Sequence, residues 1–182
     1  PYRDIRIGTI GKVVTGTQVK VISEDGTDLG FDQEGELCVK GPQVMAGYWQ
    51  RPEATAQVMD ADGWFKTGDV AILAEDGFIR LVDRIKDMIN VSGFNVYPNE
   101  IDDIASQHSG TLECAAVGIP NPVSGETVKL FVVKSDLNLT ADDVISHCRE
   151  HLTAYKVPKE VEFRDDLPKT NVGKILRRAL RE

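Results

Sequence analysis

Acidic-glycine turns break the first 82 residues into apolar runs too short to pack as helices, so this part of the chain must fold mainly as strands. Gln18 to Ile22 alternates and stops at Glu24-Asp25-Gly26. Gly35 to Lys40 is a second run, and Trp64 to Leu73 is a longer one that Phe78 to Val82 answers across Glu75-Asp76-Gly77. Two apolar runs joined by such a turn form a hairpin signal. A strand-like pattern is present from Pro1, and one short helix is expected from Pro52 to Met59, with proline near its first turn. The expectation for residues 1–82 is a mainly β subdomain, a meander or a small barrel.

The pattern changes at Asp83-Arg84. Ile85 to Asn90 and Phe94 to Tyr97 flank Ser92-Gly93 as another hairpin. Pro98 to Gln107 reads as a helix with Ile101 and Ile104 on one face. Cys114 to Ile119 and Val128 to Val133 are unbroken apolar runs of strand length. Thr140-Ala141-Asp142-Asp143 resembles a capping box with Asp in place of Glu or Gln, and a helix should follow to about Leu152. Val161 to Phe163 predicts a short strand, and Ile175 to Arg181 a terminal helix. Residues 83–182 are therefore expected to form a compact α+β domain, a small sheet with flanking helices, and the fold class of the whole chain is α+β. With no Gly/Ser-rich or Pro-rich linker, the joint at Asp83-Arg84 predicts a pivot rather than a tether.

Composition narrows the function classes. A net charge of −8 argues against a nucleic-acid partner, because duplex binding rests on a basic face. Three cysteines, Cys38, Cys114 and Cys148, give an odd count without a close CxxC pair, which suggests neither a disulfide framework nor a zinc knuckle. No apolar run approaches the roughly 20 residues that span a bilayer, and no signal peptide is visible. The start at Pro1 reads as a piece of a longer polypeptide.

Five stretches invite a chemical reading, each beside a plain one. Thr67-Gly68-Asp69 interrupts an apolar strand: the glycine marks a bulge or a close backbone approach, and the aspartate could accept two hydrogen bonds from a sugar diol or sit on a solvated edge. Arg84 of Asp83-Arg84 could grip an anion or a ribose oxygen, or make a surface ion pair. Ser92-Gly93-Phe94-Asn95 is a plain turn or a place where a thin ligand chain slides past the backbone. Lys169 to Lys174 is a mobile lysine-bearing loop suited to charge developing on a phosphate, or a basic tail before a helix; it lacks the glycine spacing of a P-loop. His147 and His151 stand at i and i+4, but this is not HExxH and offers no third metal ligand, so no metal site is assigned. Asp102-Asp103 and Asp165-Asp166 read as helix-start and loop charges without a catalytic role.

In order along the chain stand Gly47-Tyr48-Trp49, Asp62 to Asp69, Val82-Asp83-Arg84, Ser92 to Ile101 and Pro168 to Arg178. Each stretch is modest alone. Their order and distances over nearly the whole chain resemble the adenylate-forming superfamily of acyl-CoA synthetases, peptide-synthetase adenylation domains and luciferases. The likeness is strongest to bacterial long-chain fatty-acid CoA ligases, through Ser92 to Ile101 and Asn171 to Arg178. The resemblance implies that residues 1–82 are the last, β-barrel-like subdomain of a large domain and that residues 83–182 are its lid. It implies ATP, Mg2+ and CoA as cofactors and co-substrates, with the Mg2+ ligands outside this chain. It also implies a fatty acid as substrate, a cytoplasmic location, and a chain that is inactive alone. Peripheral contact with the inner membrane face and a homodimer are left open.

By the same resemblance, Asp69 holds the ribose hydroxyls and Arg84 lies near them. Asp83 is the hinge residue. Ser92, Gly93 and Phe94 line the coenzyme A path, with Gly93 beside the pantetheine. Lys174 is the adenylation lysine and a target of acetylation. Lys66 and Ile85 depart from the residues that related ligases often carry, histidine and lysine. A ligase for an aryl, medium-chain or amino acid, and a free-standing binding module, are the alternatives.

Overall fold

The computed structural model describes residues 5–181, so the strand pattern expected at Pro1 begins outside the described residues. From residue 5 to 17 the backbone forms no strand, only an isolated bridge from Lys12 to Phe78. Gly8, Gly11 and Gly16 all have positive φ there, which breaks the extended path a ladder needs. The contacts divide the chain between Lys86 and Asp87 into two compact units.

In the first unit β1 (Gln18–Ile22), β2 (Glu34–Lys40), β3 (Phe65–Leu73) and β4 (Ile79–Arg84) pair in sequence order, all antiparallel. These pairings run as a meander in strand order. Val21, Leu37, Ala71, Leu73 and Ile79 are its core. Helix α1 (Pro52–Val58) carries proline in its first turn, where the missing N–H has no helical partner to lose. β4 continues through Asp83 and Arg84, which pair with Val70 and Asp69 of β3. β3 is irregular on both sides. The β2 register shifts between Glu36 and Cys38, and the β3–β4 register shifts between Val70 and Ala71.

At the division the backbone departs from the strand expected at Ile85 to Asn90. Ile85–Asp87 is a 3-10 turn, and β5 covers only Ile89–Val91. A strand from Ile85 would put Asp87 on the same face as Ile85 and Ile89, a carboxylate on the core side. β6 (Phe94–Val96), α2 (Pro98–Ala105), β7 (Thr111–Asn121), β8 (Gly125–Lys134), α3 (Ala141–His151) and β9 (Glu160–Phe163) follow. The sheet order is β6-β5-β8-β7, antiparallel, with β9 parallel to β8. The capping box is made: Thr140 Oγ1 accepts from the Asp143 N–H at 3.2 Å, and Asp143 Oδ2 accepts from the Thr140 N–H at 3.0 Å. Aspartate is long enough to close it.

Both faces of this sheet are covered. Cys114, Ala116, Leu130 and Val132 face Ile101 and Ala105 of α2 and Val144 and Cys148 of α3. The alternate residues Ala115, Val117, Phe131 and Val133 face Leu167, Leu180 and Ile175 from the C-terminal stretch. Two-sided burial is why these strands read as unbroken apolar runs. The C-terminal stretch is not the helix expected over Ile175 to Arg181. Ile175 is extended in a bridge to Lys169, which leaves room only for a 3-10 turn at Arg177–Leu180.

Candidate functional site

The first unit holds a cleft of about 570 Å³ lined by Glu36, Tyr48, Phe65 to Asp69 and Arg84 to Lys86, among others. Its floor follows from the irregular strand. Gly68 has φ +74°, and a Cβ built there meets nothing within 4 Å, so the glycine serves a bulge and not a close approach. The bulge is tied down: Thr67 Oγ1 donates to the Leu37 carbonyl at 2.8 Å, and the Gly68 N–H donates to Glu36 Oε1 at 3.1 Å. The Asp69 N–H donates to Thr67 Oγ1 at 3.1 Å.

Asp69 and Arg84 are cross-strand partners, and Arg84 Nε lies 3.3 Å from Asp69 Oδ1. Both line the cleft, so it carries an anionic acceptor beside a cationic fork. That combination suits a polar ligand bearing both hydroxyls and negative charge. Asp83, on the same strand, is buried, and one of its carboxylate oxygens accepts from the Arg84 N–H at 2.7 Å.

The second unit holds Ser92, Gly93, Phe94 and Lys174. Ser92 (φ 53°) and Gly93 (φ 84°) are consecutive left-handed residues, the requirement of a tight two-residue hairpin turn. The Phe94 ring is exposed on one side and stacked on Tyr155 with centroids 4.8 Å apart.

Lys174 is exposed, but the stretch bearing it is a closed hairpin rather than the loose loop the sequence suggests. The Thr170 N–H donates to the Lys174 carbonyl at 2.7 Å, the Gly173 N–H to the Thr170 carbonyl at 2.9 Å, and the Leu176 N–H to the Pro168 carbonyl at 2.7 Å. Lys169 closes one leg with Glu113 at 2.8 Å and Asp166 at 3.1 Å, and these carboxylates raise its pKa. Arg177 closes the other, with Nη2 2.5 Å from Asp102 Oδ2 and 2.7 Å from Asn99 Oδ1.

Sequence reasoning missed Asp102, read there as a helix-start charge. Its other oxygen accepts the Ala116 N–H at 2.6 Å, so one carboxylate joins α2, β7 and the Lys174 segment. Asp102 stands with Glu100 and Asp103 near a helix start, where acids are ordinary, so it gives no sequence signal for that. His147 Nε2 lies 3.0 Å from the Ile104 carbonyl, with its ring edge-on to His108 and His151. Among the described residues no group of three or more His, Cys, Asp or Glu could hold a metal ion. All three cysteines are free and buried, and burial pushes Cys38 and Cys148 up to about 11 and Cys114 up to about 12. No helix among the described residues is long and apolar enough to cross a membrane.

Comparison with known proteins follows the same division of the chain. Residues 1–49 match the family model of AMP-binding enzymes, and residues 100–174 match that of the AMP-binding enzyme C-terminal domain. The long-chain-fatty-acid–CoA ligase of Salmonella typhimurium is 62% identical over 179 residues, which cover 98% of this chain and 32% of that protein. The chain thus spans about a third of the length of the curated relatives it matches. The crystal structure of ATP-bound MatB from Rhodopseudomonas palustris superposes with a TM-score of 0.92 at 37% identity, over 100% of this chain and 37% of that one. The Bacillus subtilis o-succinylbenzoate CoA synthetase, solved with its acyl-adenylate intermediate, gives a TM-score of 0.89 at 30% identity, over 97% of this chain and 36% of that one.

Proposed function

The chain belongs to the family of AMP-binding enzymes, and on that footing we propose that it works as the nucleotide-facing and lid portion of an ATP-dependent long-chain fatty acid:CoA ligase. The observation that carries this reading is the Asp69–Arg84 pair, held side by side at the bulged end of β3 and β4 within a cleft.

The reaction divides into two steps. A carboxylate oxygen of the fatty acid attacks the α-phosphorus of ATP, the bond to pyrophosphate breaks, and acyl-adenylate forms. The thiol sulfur of CoA then attacks the acyl carbonyl, the carbon–oxygen bond to AMP breaks, and the thiol proton passes to solvent. Asp69 accepts the ribose hydroxyls and Arg84 supports the same sugar, which fixes the nucleotide for in-line attack. Lys174 brings a cation to the charge that builds on the α-phosphate in the first step. Asp83 is assigned the hinge, with torsions that change between the two steps. The Ser92-Gly93-Phe94 turn borders the path of the thiol arm, with no Cβ at Gly93.

Mg2+ accompanies ATP in this chemistry, and among the described residues no group of three or more His, Cys, Asp or Glu could hold it. Cytoplasmic placement, peripheral contact with a membrane and a homodimer complete the proposal. Fractionation and sizing of the native polypeptide test them.

The deciding experiment supplies the native polypeptide carrying this sequence with ATP, CoA and acids of graded chain length, and also with an aryl acid. Thioester formation greatest with long aliphatic acids supports the reading. Thioester from the aryl acid alone replaces the substrate, and no adenylate from any acid overturns the function. The chain of residues 1–182 by itself is expected to make no acyl-CoA.

A further inference from the structure

We infer that Glu126 is a positioning residue for the thiol-transfer step, acting through Asn90 on the Ser92-Gly93-Phe94 turn. This rests on the reading of that turn given above.

The hairpin carrying the turn needs outside support. β5 and β6 have three residues each, and β5 meets β8 at the single register pair Val91–Gly125. Such a short hairpin is marginal alone, and its turn holds two consecutive residues in the left-handed region. Three contacts make up the deficit. The Ser92 N–H donates to the Ser124 carbonyl at 2.8 Å. The Asn90 N–H donates to Glu126 Oε2 at 2.8 Å, where a carboxylate takes the place of the next rung of the ladder. The Asn90 side-chain oxygen then accepts the Gly93 N–H at 3.0 Å. Glu126 thus holds the residue that holds the tip.

Gly118 of β7 makes room for this carboxylate. A Cβ there would lie 2.6 Å from Glu126 Oε1, 3.0 Å from its Cδ and 3.1 Å from Ile89 Cγ2. Unlike Gly93, Gly118 has no left-handed backbone to accommodate, so the missing side chain serves space alone. A Cβ at Gly93 meets nothing within 4 Å in this chain, which leaves that side of the turn open to a ligand. With the Ser92 and Gly93 N–H groups already engaged, the turn guides a passing chain by its shape, and its shape depends on these supports.

The test uses the native polypeptide and measures the half-reactions separately: fatty-acid-dependent ATP–pyrophosphate exchange, and thioester formation from supplied acyl-adenylate with CoA varied. Glu126→Ala is expected to lower kcat/KM for CoA about tenfold, mainly through KM, while exchange stays within about twofold. Glu126→Gln keeps an oxygen acceptor and should stay within about threefold of the parent. Gly118→Ala displaces the carboxylate from the other side and should follow Glu126→Ala, which decides the matter should Glu126→Ala not fold. Equal loss of both half-reactions in Glu126→Ala and Gly118→Ala, or loss in neither, overturns the inference. Gly93→Ala separates the two levels. If it leaves thioester formation intact, the reading of the turn fails; if it impairs that step while Glu126→Ala does not, only the role of Glu126 fails.

Discussion

Arg177 reaches Asp102, 75 positions earlier, with its guanidinium 2.5 Å from the carboxylate and both side chains about one-sixth exposed. This pair fixes the segment that presents Lys174 to the body of its unit. Removing one partner of a mostly buried pair strands the other, so Arg177→Ala is expected to destabilise the fold by about 3 kcal/mol. An unfolding free energy from urea titration that falls by less than a third of that amount would show the pair to be dispensable.

Lys174→Ala leaves the hairpin intact, because Lys174 closes it with its own backbone N–H and carbonyl, to Thr170, and not with its side chain. In the native polypeptide the substitution should lower adenylate formation by about 10²-fold or more and largely spare thioester formation from supplied adenylate. Equal loss in both assays refutes the assigned role.

Asp69→Asn keeps the shape of the cleft and removes its anionic acceptor. Nucleotide affinity should fall about tenfold or more, the cost of one charge-assisted hydrogen bond. Titration calorimetry with AMP on the native polypeptide reads this directly, and unchanged affinity would remove Asp69 from the ribose site.

Thr140→Ala should cost about 1 kcal/mol as a lost helix cap. Its pH dependence has a definite sign. Hydrogen bonds from Thr140 hold the Asp143 carboxyl below its ordinary value of 3.8. Stability from that shift is complete above 3.8 and fades as the pH falls through the lowered folded value. The gap between parent and variant should narrow in that acid range, and denaturation at stepped pH would show a constant gap if the Thr140 hydroxyl made no bond to the Asp143 carboxylate.

The three cysteines should resist alkylation at pH 8 in the folded chain. Each is buried, and their thiols ionise only near 11 to 12. Labelling should appear with unfolding and at the rate of unfolding; prompt labelling of the native protein contradicts the burial described.

Strand and helix positions were legible in the sequence wherever local rules decide them. The acidic-glycine turns marked the hairpins, and Thr140 with Asp143 marked the start of α3. Cys114 to Ile119 and Val128 to Val133 declared themselves by unbroken hydrophobicity. Errors came where tertiary contacts overrule local preference. Ile85 looked like the start of a strand, but Asp87 would have shared its inward face. Ile175 looked helical, but its backbone bridges Lys169 instead. For the candidate site, Asp69 and Arg84 were legible as separate residues, while their adjacency appears only once β3 and β4 take register. Asp102, Asn90 and Glu126 carried no local sign, because their partners lie 14 to 75 positions away or at a turn visible only in three dimensions.

β8 lies between two packed layers, and its residues alternate between them. An ordinary half-buried strand has an idle side on which polar residues can drift. Between Val128 and Val133 only Lys129 escapes burial, and its amine is engaged by Glu162 at 2.8 Å. Neutral variation along this strand is therefore nearly closed at consecutive positions, and the helices of one layer share a single mechanical spine with the lysine-bearing segment of the other.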